Sequence, residues 1–198
     1  EIRLSLVGSE MCIRDSSSYS TSRENRMQPT LYTPRLQLRP LAQRDASAIE
    51  GLLQDREIAQ MTSLIPFPYP PGLASAWIGR HPQLWVAREG VVWGICCRDE
   101  GTLMGVISLR ELGGAAPVLG YWLGKAFWGN GHATQAASRV CRYAIDELGI
   151  HTLAASCLKR NIASAKVLSR VGFKVVGLGF ELLDNKPGHE AVVYHRLG

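Results

Sequence analysis

The sequence predicts a single α/β domain: one mixed, mostly antiparallel sheet with helices on both faces. Two observations carry this expectation. Apolar runs of strand length, separated by turn residues, crowd the middle of the chain, and in its last third strands alternate with two periodic helical stretches. The 198 residues are enough for one domain with its own core. No internal repeat and no second domain are legible.

The elements follow in order. Leu36 and Leu38 alternate with Gln37 and Arg39, which reads as a first strand. Asp45 is placed to cap a helix whose apolar positions include Ala48, Ile49, Leu52 and Leu53. A second helical stretch around 58–61 gives way to the loop Pro-Phe-Pro-Tyr-Pro-Pro-Gly at 66–72, whose prolines forbid a continuous helix. A short helix with Leu73, Ala76, Trp77 and Ile78 follows. Residues 84–87, 91–97 and 102–109 read as strands, with Asp99-Glu100-Gly101 joining the last two as a hairpin.

Residues 118–123 form a further strand ending at Gly124. Ala133, Ala136, Ala137, Val140, Cys141, Ala144, Ile145 and Leu148 then recur at helical spacing, a stripe suited to lie along one face of a sheet. Gly149 stops that helix. Residues 153–158 read as a strand and 162–171 as a helix stopped by Gly172. Strands at 173–178 and 191–196 close the sheet around a turn at 184–188.

Residues 1–26 read as a leader outside the domain, which then spans 27–198. They lack amphipathic periodicity, and 16–22 is nearly all serine. The string Glu-Met-Cys-Ile-Arg-Asp-Ser at 10–16 resembles a translated transposon end from library preparation, which makes Met27 the expected start. A disordered tail is the other reading. The leader holds four basic and four acidic residues, so the net charge of +5 is the same without it.

Composition narrows the function classes. No apolar run is long enough to cross a bilayer. The five cysteines (Cys12, Cys96, Cys97, Cys141, Cys157) form no C-x-x-C pair and leave an odd count, which fits a reducing, cytoplasmic setting. The positive charges are scattered, unlike a nucleic-acid-binding arm, and a mild excess equally suits a ligand carrying phosphates. The histidines show no metal-ligand spacing, so no metal site is expected.

Two segments carry chemistry. Phe127-Trp128-Gly129-Asn130-Gly131-His132-Ala133-Thr134 joins a strand directly to the most periodic helix. Its small residues let a ligand approach the backbone, and the unpaired amides of a first helical turn favour an anion. Each such charge–dipole contact is worth about 0.3–1 kcal/mol, so several amides must act together. A tight turn that happens to contain glycine is the competing reading. The spacing fits neither G-x-x-x-x-G-K-[ST] nor G-x-G-x-x-G. The second segment, Asn161-Ile162-Ala163-Ser164, follows a strand and opens a helix, so an N-cap amide and a hydroxyl one turn later share a face.

Together, Y-W-L-G-x-x-F-W-G-N-G-H-A-T-x-A and N-I-A-S-x-x-V-L-x-R-V-G-F resemble the GNAT superfamily of acyl-CoA N-acyltransferases. The branch containing the ribosomal-protein N-terminal acetyltransferases is the most similar. T-P-R-L-Q-L-R-P-L at 33–41 and I-P-F-P-Y-P at 65–70 share that resemblance, which covers about 33–197.

The resemblance implies an N-acetyltransferase that moves an acetyl group from acetyl-CoA to a primary amine, of a protein N-terminus or a small molecule. It implies that Trp128, Gly129, Asn130, Gly131, His132, Ala133 and Thr134 bind the pyrophosphate. The main chain of Tyr121, Trp122 and Leu123 would pair with the pantetheine arm, and Asn161 would hydrogen-bond it. Ser164 would meet the departing sulfur, and a main-chain amide at Tyr121–Leu123 would stabilise the oxyanion. Ser164 and Tyr121 are thus the catalytic candidates.

One departure stands out: relatives often carry Glu where this chain has Val118. Glu111, in the preceding loop, could compensate, but surface solvation explains it better. Without that carboxylate, a non-catalytic acyl-CoA-binding protein is the runner-up, and a basic nucleic-acid-binding domain trails it. Trp77, Trp93 and Tyr69 either line the acceptor pocket or pack the core, and Arg139 and Arg142 either meet the adenosine phosphate or face solvent. A monomer or a homodimer is compatible with all of this.

Overall fold

The computed structural model describes residues 27–183 and 189–198. The expected leader at 1–26 and the closing turn at 184–188 lie outside the described residues. The strands are β1 (Leu31–Tyr32), β2 (Leu36–Pro40), β3 (Gly90–Cys97), β4 (Leu103–Arg110), β5 (Val118–Leu123), β6 (Leu153–Leu158), β7 (Lys174–Leu182) and β8 (His189–Leu197). The helices are α1 (Ala46–Leu53), α2 (Arg56–Met61), α3 (Leu73–Ile78), α4 (His81–Val86), α5 (His132–Asp146) and α6 (Ile162–Val171).

One sheet holds all eight strands in the order β1-β2-β3-β4-β5-β6-β8-β7. Neighbours are antiparallel except β5 and β6, which run parallel. The expected mixed, mostly antiparallel sheet with flanking helices is therefore the fold.

Period-two alternation divides the strands between two cores. Val91, Trp93, Ile95, Ile107 and Leu109 turn to one face, where α5 and α6 cover them with Ala136, Ala137, Val140, Cys141 and Leu168. Val92, Cys96 and Val106 turn to the other, against Ile49 and Leu53 of α1, Ile58 of α2 and Ala74 and Ile78 of α3. Trp93 is wholly buried: its indole donates to the Pro29 carbonyl at 2.8 Å and meets Tyr143 edge-on, with centroids 5.6 Å apart. Each fully buried side chain of this size contributes about 1.5–3 kcal/mol.

Three local expectations are corrected. Residues 84–87 are not a strand: they lie in α4 and at its C-terminus. Pro82 in its first turn sets a helical φ, and Leu84 and Trp85 are both half-buried, whereas a half-buried strand would alternate. Ala76 is exposed, and Ala74 takes its place in the core.

Asp45 occupies the N-cap position of α1, but its carboxylate makes no cap bond there. It accepts from the Ala42 amide at 2.8 Å and from both terminal nitrogens of Arg39 at 2.8 Å, closing the 3-10 turn Gln43–Asp45. Burial alone would push the Asp45 carboxyl up, but these bonds outweigh it and hold the pKa below its ordinary value.

This pair ties the end of β2 to α1, so Asp45→Asn should destabilise the fold by about 2–4 kcal/mol, read by chemical denaturation. A depressed carboxyl stabilises the fold above the unfolded-state pKa of about 3.9, and that contribution disappears as pH falls through the lower folded value. The difference between wild type and Asp45→Asn should therefore be full at neutral pH and vanish in strong acid.

Candidate active site

β5 and β6 share only two register pairs, Val118 with Ala154 and Leu119 with Ala155. Beyond them β6 stays with β8 through Leu158, while β5 stays with β4 through Leu123, so the two parallel strands part. A cleft of about 950 Å³ occupies the opening and reaches from the Leu64–Tyr69 loop to the start of α5 and along α6.

Backbone polarity at the opening follows from the ladder. The Gly124 amide donates to Met104 at 2.8 Å. Alternation then directs the main chain of Trp122 and Gly120 toward β4 and turns that of Tyr121 and Leu123 to the open edge. The Leu123 carbonyl, on that edge, accepts from the Trp128 indole at 2.8 Å. Of the three expected main-chain partners for pantetheine, Tyr121 and Leu123 thus face the cleft. Trp122 contributes its side chain to the cleft wall instead, on the α1–α3 face.

The turn before α5 is built as a cradle. Gly129 and Gly131 have φ of +79° and +76°, a left-handed conformation that other residues adopt only with strain. Gly131 caps α5 without any side-chain bond, and the first amide to find a helical partner is that of Gln135, which donates to Gly131 at 3.0 Å. The amides of His132, Ala133 and Thr134 are therefore the unpaired donors of the first turn. Trp128, Gly129, Gly131, His132, Ala133 and Thr134 all line the cleft, whereas Asn130 does not.

Sequence reasoning missed the partner of this turn. Arg35 donates to the Asn130 carbonyl at 3.0 Å, and Thr33 donates to Gln135 Oε1 at 2.8 Å, so the loop between β1 and β2 is stapled to the start of α5. Both residues stood in the Thr-Pro-Arg-Leu string, which marked the family resemblance but no contact. His132 is half-buried, with Nδ1 unpartnered among the described residues; burial first, then the Arg35 charge, lowers its pKa.

The second segment meets the first across the opening. Asn161 caps α6, its side-chain oxygen accepting from the Ser164 amide at 3.0 Å, and its Nδ2 donates to the Met61 carbonyl at 3.1 Å. That leaves one amide hydrogen for a ligand. The Ser164 hydroxyl lies 2.8 Å from the Tyr121 hydroxyl. Ser164 is thus paired across the cleft, from α6 to β5, and the tyrosine was expected to act only through its main chain. Burial pushes the Tyr121 phenol up to about 12 against a smaller opposing pull from Ser164. Burial raises the pKa of the neighbouring Cys157 thiol, against a smaller opposing pull from Ser164.

The cleft wall on the α1–α3 face is formed by Ile65, Tyr69, Leu73, Trp77 and Trp122, so Tyr69 and Trp77 both line the cleft and pack the second core. Trp93 is core alone. Arg139 pairs with Glu147 at 3.5 Å. Val118 pairs with Arg110 and Ala154 in the ladder, and Glu111 is exposed in the β4–β5 loop, outside the cleft lining.

A carboxylate does stand nearby. Glu181 of β7 lines a recess of about 240 Å³ that shares Ser63, Leu64, Arg110 and Ser156 with the cleft. Tyr194 of β8 donates its hydroxyl to Glu181. Its ring lies over Gly179, where an added Cβ would sit 3.0 Å from it. The signal was the Gly-Leu-Gly-Phe-Glu run at 177–181, whose alternating glycines clear a path for a ring from the next strand.

Residues 35–174 match the acetyltransferase (GNAT) domain family. An uncharacterized N-acetyltransferase of Bacillus subtilis, YoaA, is 30% identical over 154 residues, covering 77% of this chain and 86% of that protein. RimL, a ribosomal L7/L12 alpha-N-protein acetyltransferase solved with coenzyme A, superposes with a TM-score of 0.75 at 19% identity, over 85% of this chain and 97% of its own. The ribosomal-protein-S5-alanine acetyltransferase of Vibrio fischeri gives 0.75 at 18% identity, over 85% and 96%. The chain belongs to the GNAT acetyltransferases, enzymes that transfer an acetyl group from acetyl-CoA to an amine.

Proposed function

We propose that this chain acetylates a primary amine that attacks the thioester directly at the split between β5 and β6, with Tyr121 and Ser164 serving the departing sulfur. The carrying observation is the 2.8 Å contact between their hydroxyls, made by two elements on opposite sides of the opening. Acetyl-CoA supplies an activated thioester. The first-turn amides of α5 and the left-handed turn at Gly129 and Gly131 hold its pyrophosphate. The open-edge main chain of Tyr121 and Leu123, with the remaining amide hydrogen of Asn161, holds the pantetheine arm.

Each residue then has a task. The free amide at Tyr121 or Leu123 stabilises negative charge on the carbonyl oxygen during attack. In this reading Tyr121 is the donor of the pair, which frees the serine hydroxyl to donate toward the sulfur and makes it a better donor than an isolated serine. Glu181 accepts the amine proton, taking the task that Val118 cannot perform. The acceptor is an amine of a protein N-terminus or a small molecule, admitted between the Leu64–Tyr69 loop and Trp122. Four free cysteines, Cys96, Cys97, Cys141 and Cys157, support a reducing, cytoplasmic setting.

Adding a side chain at Gly131 tests the cradle. Asn tolerates the left-handed backbone better than other residues, so Gly131→Asn should fold yet lose acetyl-CoA affinity by at least about tenfold. Unchanged affinity by calorimetry would remove the turn from the binding site.

The paired hydroxyls predict a transition-state effect. Ser164→Ala should lower kcat about 10- to 1000-fold, roughly 1.4–4 kcal/mol, with little change in acetyl-CoA affinity. Tyr121→Phe should show a smaller fall of the same kind, and wild-type kcat in Ser164→Ala would exclude the serine. Because Tyr121 titrates near 12, kcat should show no alkaline loss with an apparent pKa near the ordinary tyrosine value of about 10. Asn161→Ala should instead weaken the cofactor, since the cap of α6 and a ligand donor are lost together.

A further inference from the structure

The charges around the cleft are one-sided. Arg80, Arg110, Arg160, Lys166 and Arg170 line it, and no carboxylate does among its described lining residues. Arg160 is committed to Glu190 at 2.7 Å. Lys166 and Arg170 sit on α6, on the cofactor side. Arg110 is different. It ends β4 on the same face as Val106 and Ser108, the face toward α1 to α3, and so projects on the acceptor side. Among the described residues its guanidinium has no ion pair or hydrogen bond.

Arg110 also lines the 240 Å³ recess that opens from the cleft, together with Glu181, Ser63, Ser156, Leu64 and Leu183. At about 30 Å³ for a water molecule in the liquid, that space admits one small organic head group and little more. A guanidinium and a carboxylate in one small recess, with two hydroxyls between leucines, match a molecule that carries both charges. A lone ammonium would leave Arg110 facing a like charge, and a phosphate dianion would set its own charge against Glu181. A carboxylate beside an amine satisfies both walls, because a guanidinium binds a carboxylate through paired N–H groups.

We propose that this recess is an acceptor subsite for an amino-acid-like zwitterion: Arg110 binds a carboxylate of the acceptor while its amine lies toward Glu181 and the thioester. The acceptor class is then an α-amino acid or a close relative with a free carboxylate, and Arg110 is the residue that sets it. The inference rests on the acetyl-transfer reading, because the amine it orients is the attacking one. Glu181 stays beside the amine through its bond to Tyr194, whose ring needs the bare backbone of Gly179.

Product binding tests this without turnover. CoA is first titrated into the protein by calorimetry. The CoA-saturated protein is then titrated with a set of N-acetyl-α-amino acids and with the corresponding primary amides. At least one acid should bind about 10- to 100-fold more tightly than its amide. Arg110→Gln should erase that preference while CoA affinity stays unchanged, and Arg110→Lys should restore part of it. Acids that bind no better than amides, or do not bind at all, would overturn the subsite and leave the acetyl-transfer reading standing. A preference that survives Arg110→Gln would overturn the role of Arg110. Failure of CoA itself to bind would remove the acetyl-transfer reading, and this inference with it.

Discussion

The parting of β5 from β6 is the constraint on which the site depends. Each strand is committed elsewhere, β5 to β4 and β6 to β8, and their shared pairing ends after Leu119 and Ala155. Main-chain groups inside a sheet are normally satisfied by the neighbouring strand. Here the edge of β5 at Tyr121 and Leu123 faces a cleft, so it is available to an extended ligand that pairs like a strand. The cradle at the start of α5 and the hydroxyl pair of Tyr121 and Ser164 lie at either end of that exposed edge. Had the two strands stayed zipped, each would be buried in ordinary core.

That opening is held by contacts remote in sequence. Thr33 and Arg35 fix the turn before α5 from the first strands of the sheet. Asn161 fixes α6 to the end of α2 through Met61, so the cofactor wall and the acceptor wall are tied at one residue. Arg39 and Asp45 anchor α1, which carries part of the second core. The left-handed glycines add the one local feature no other residue type supplies easily, a bare, sharply turned backbone aimed at the cleft.

Electrostatics divide the site. Burial at the Tyr121–Ser164 end keeps the phenol protonated, so the hydroxyl pair stays neutral throughout the neutral range. The acceptor end carries charges of both signs, Arg110 and Glu181, at the mouth of one recess. In the proposed reaction the first end serves the departing thiolate and the second takes the amine proton. Arg110 and Tyr121 project to opposite faces of the adjoining strands β4 and β5, so the pleat that separates the cores also separates these two side chains.

Much of this was written in the sequence. The helical stripe from Ala133 to Leu148, the strand runs, and the two motifs at 128–134 and 161–164 are local patterns, and local periodicity and capping chemistry determine them. They marked the two segments that the fold brings together along one cleft. Other features were beyond local reading. A strand at 84–87 was expected because its apolar residues are too few to separate the two periods, and packing on β3 decided for a helix. Asp45 looked like a cap until Arg39, six residues away along a bent chain, claimed its carboxylate. The side chain of Tyr121 meets Ser164 across 43 residues, and Glu181 lines the recess beside the cleft with Tyr194 of β8 bonded to it. Sequence alone determined most of the helices and strands, 84–87 excepted, and which family they spell. Tertiary structure decided which side chains meet, because contact between elements depends on sheet order and on where two strands part, and neither is encoded within any one segment.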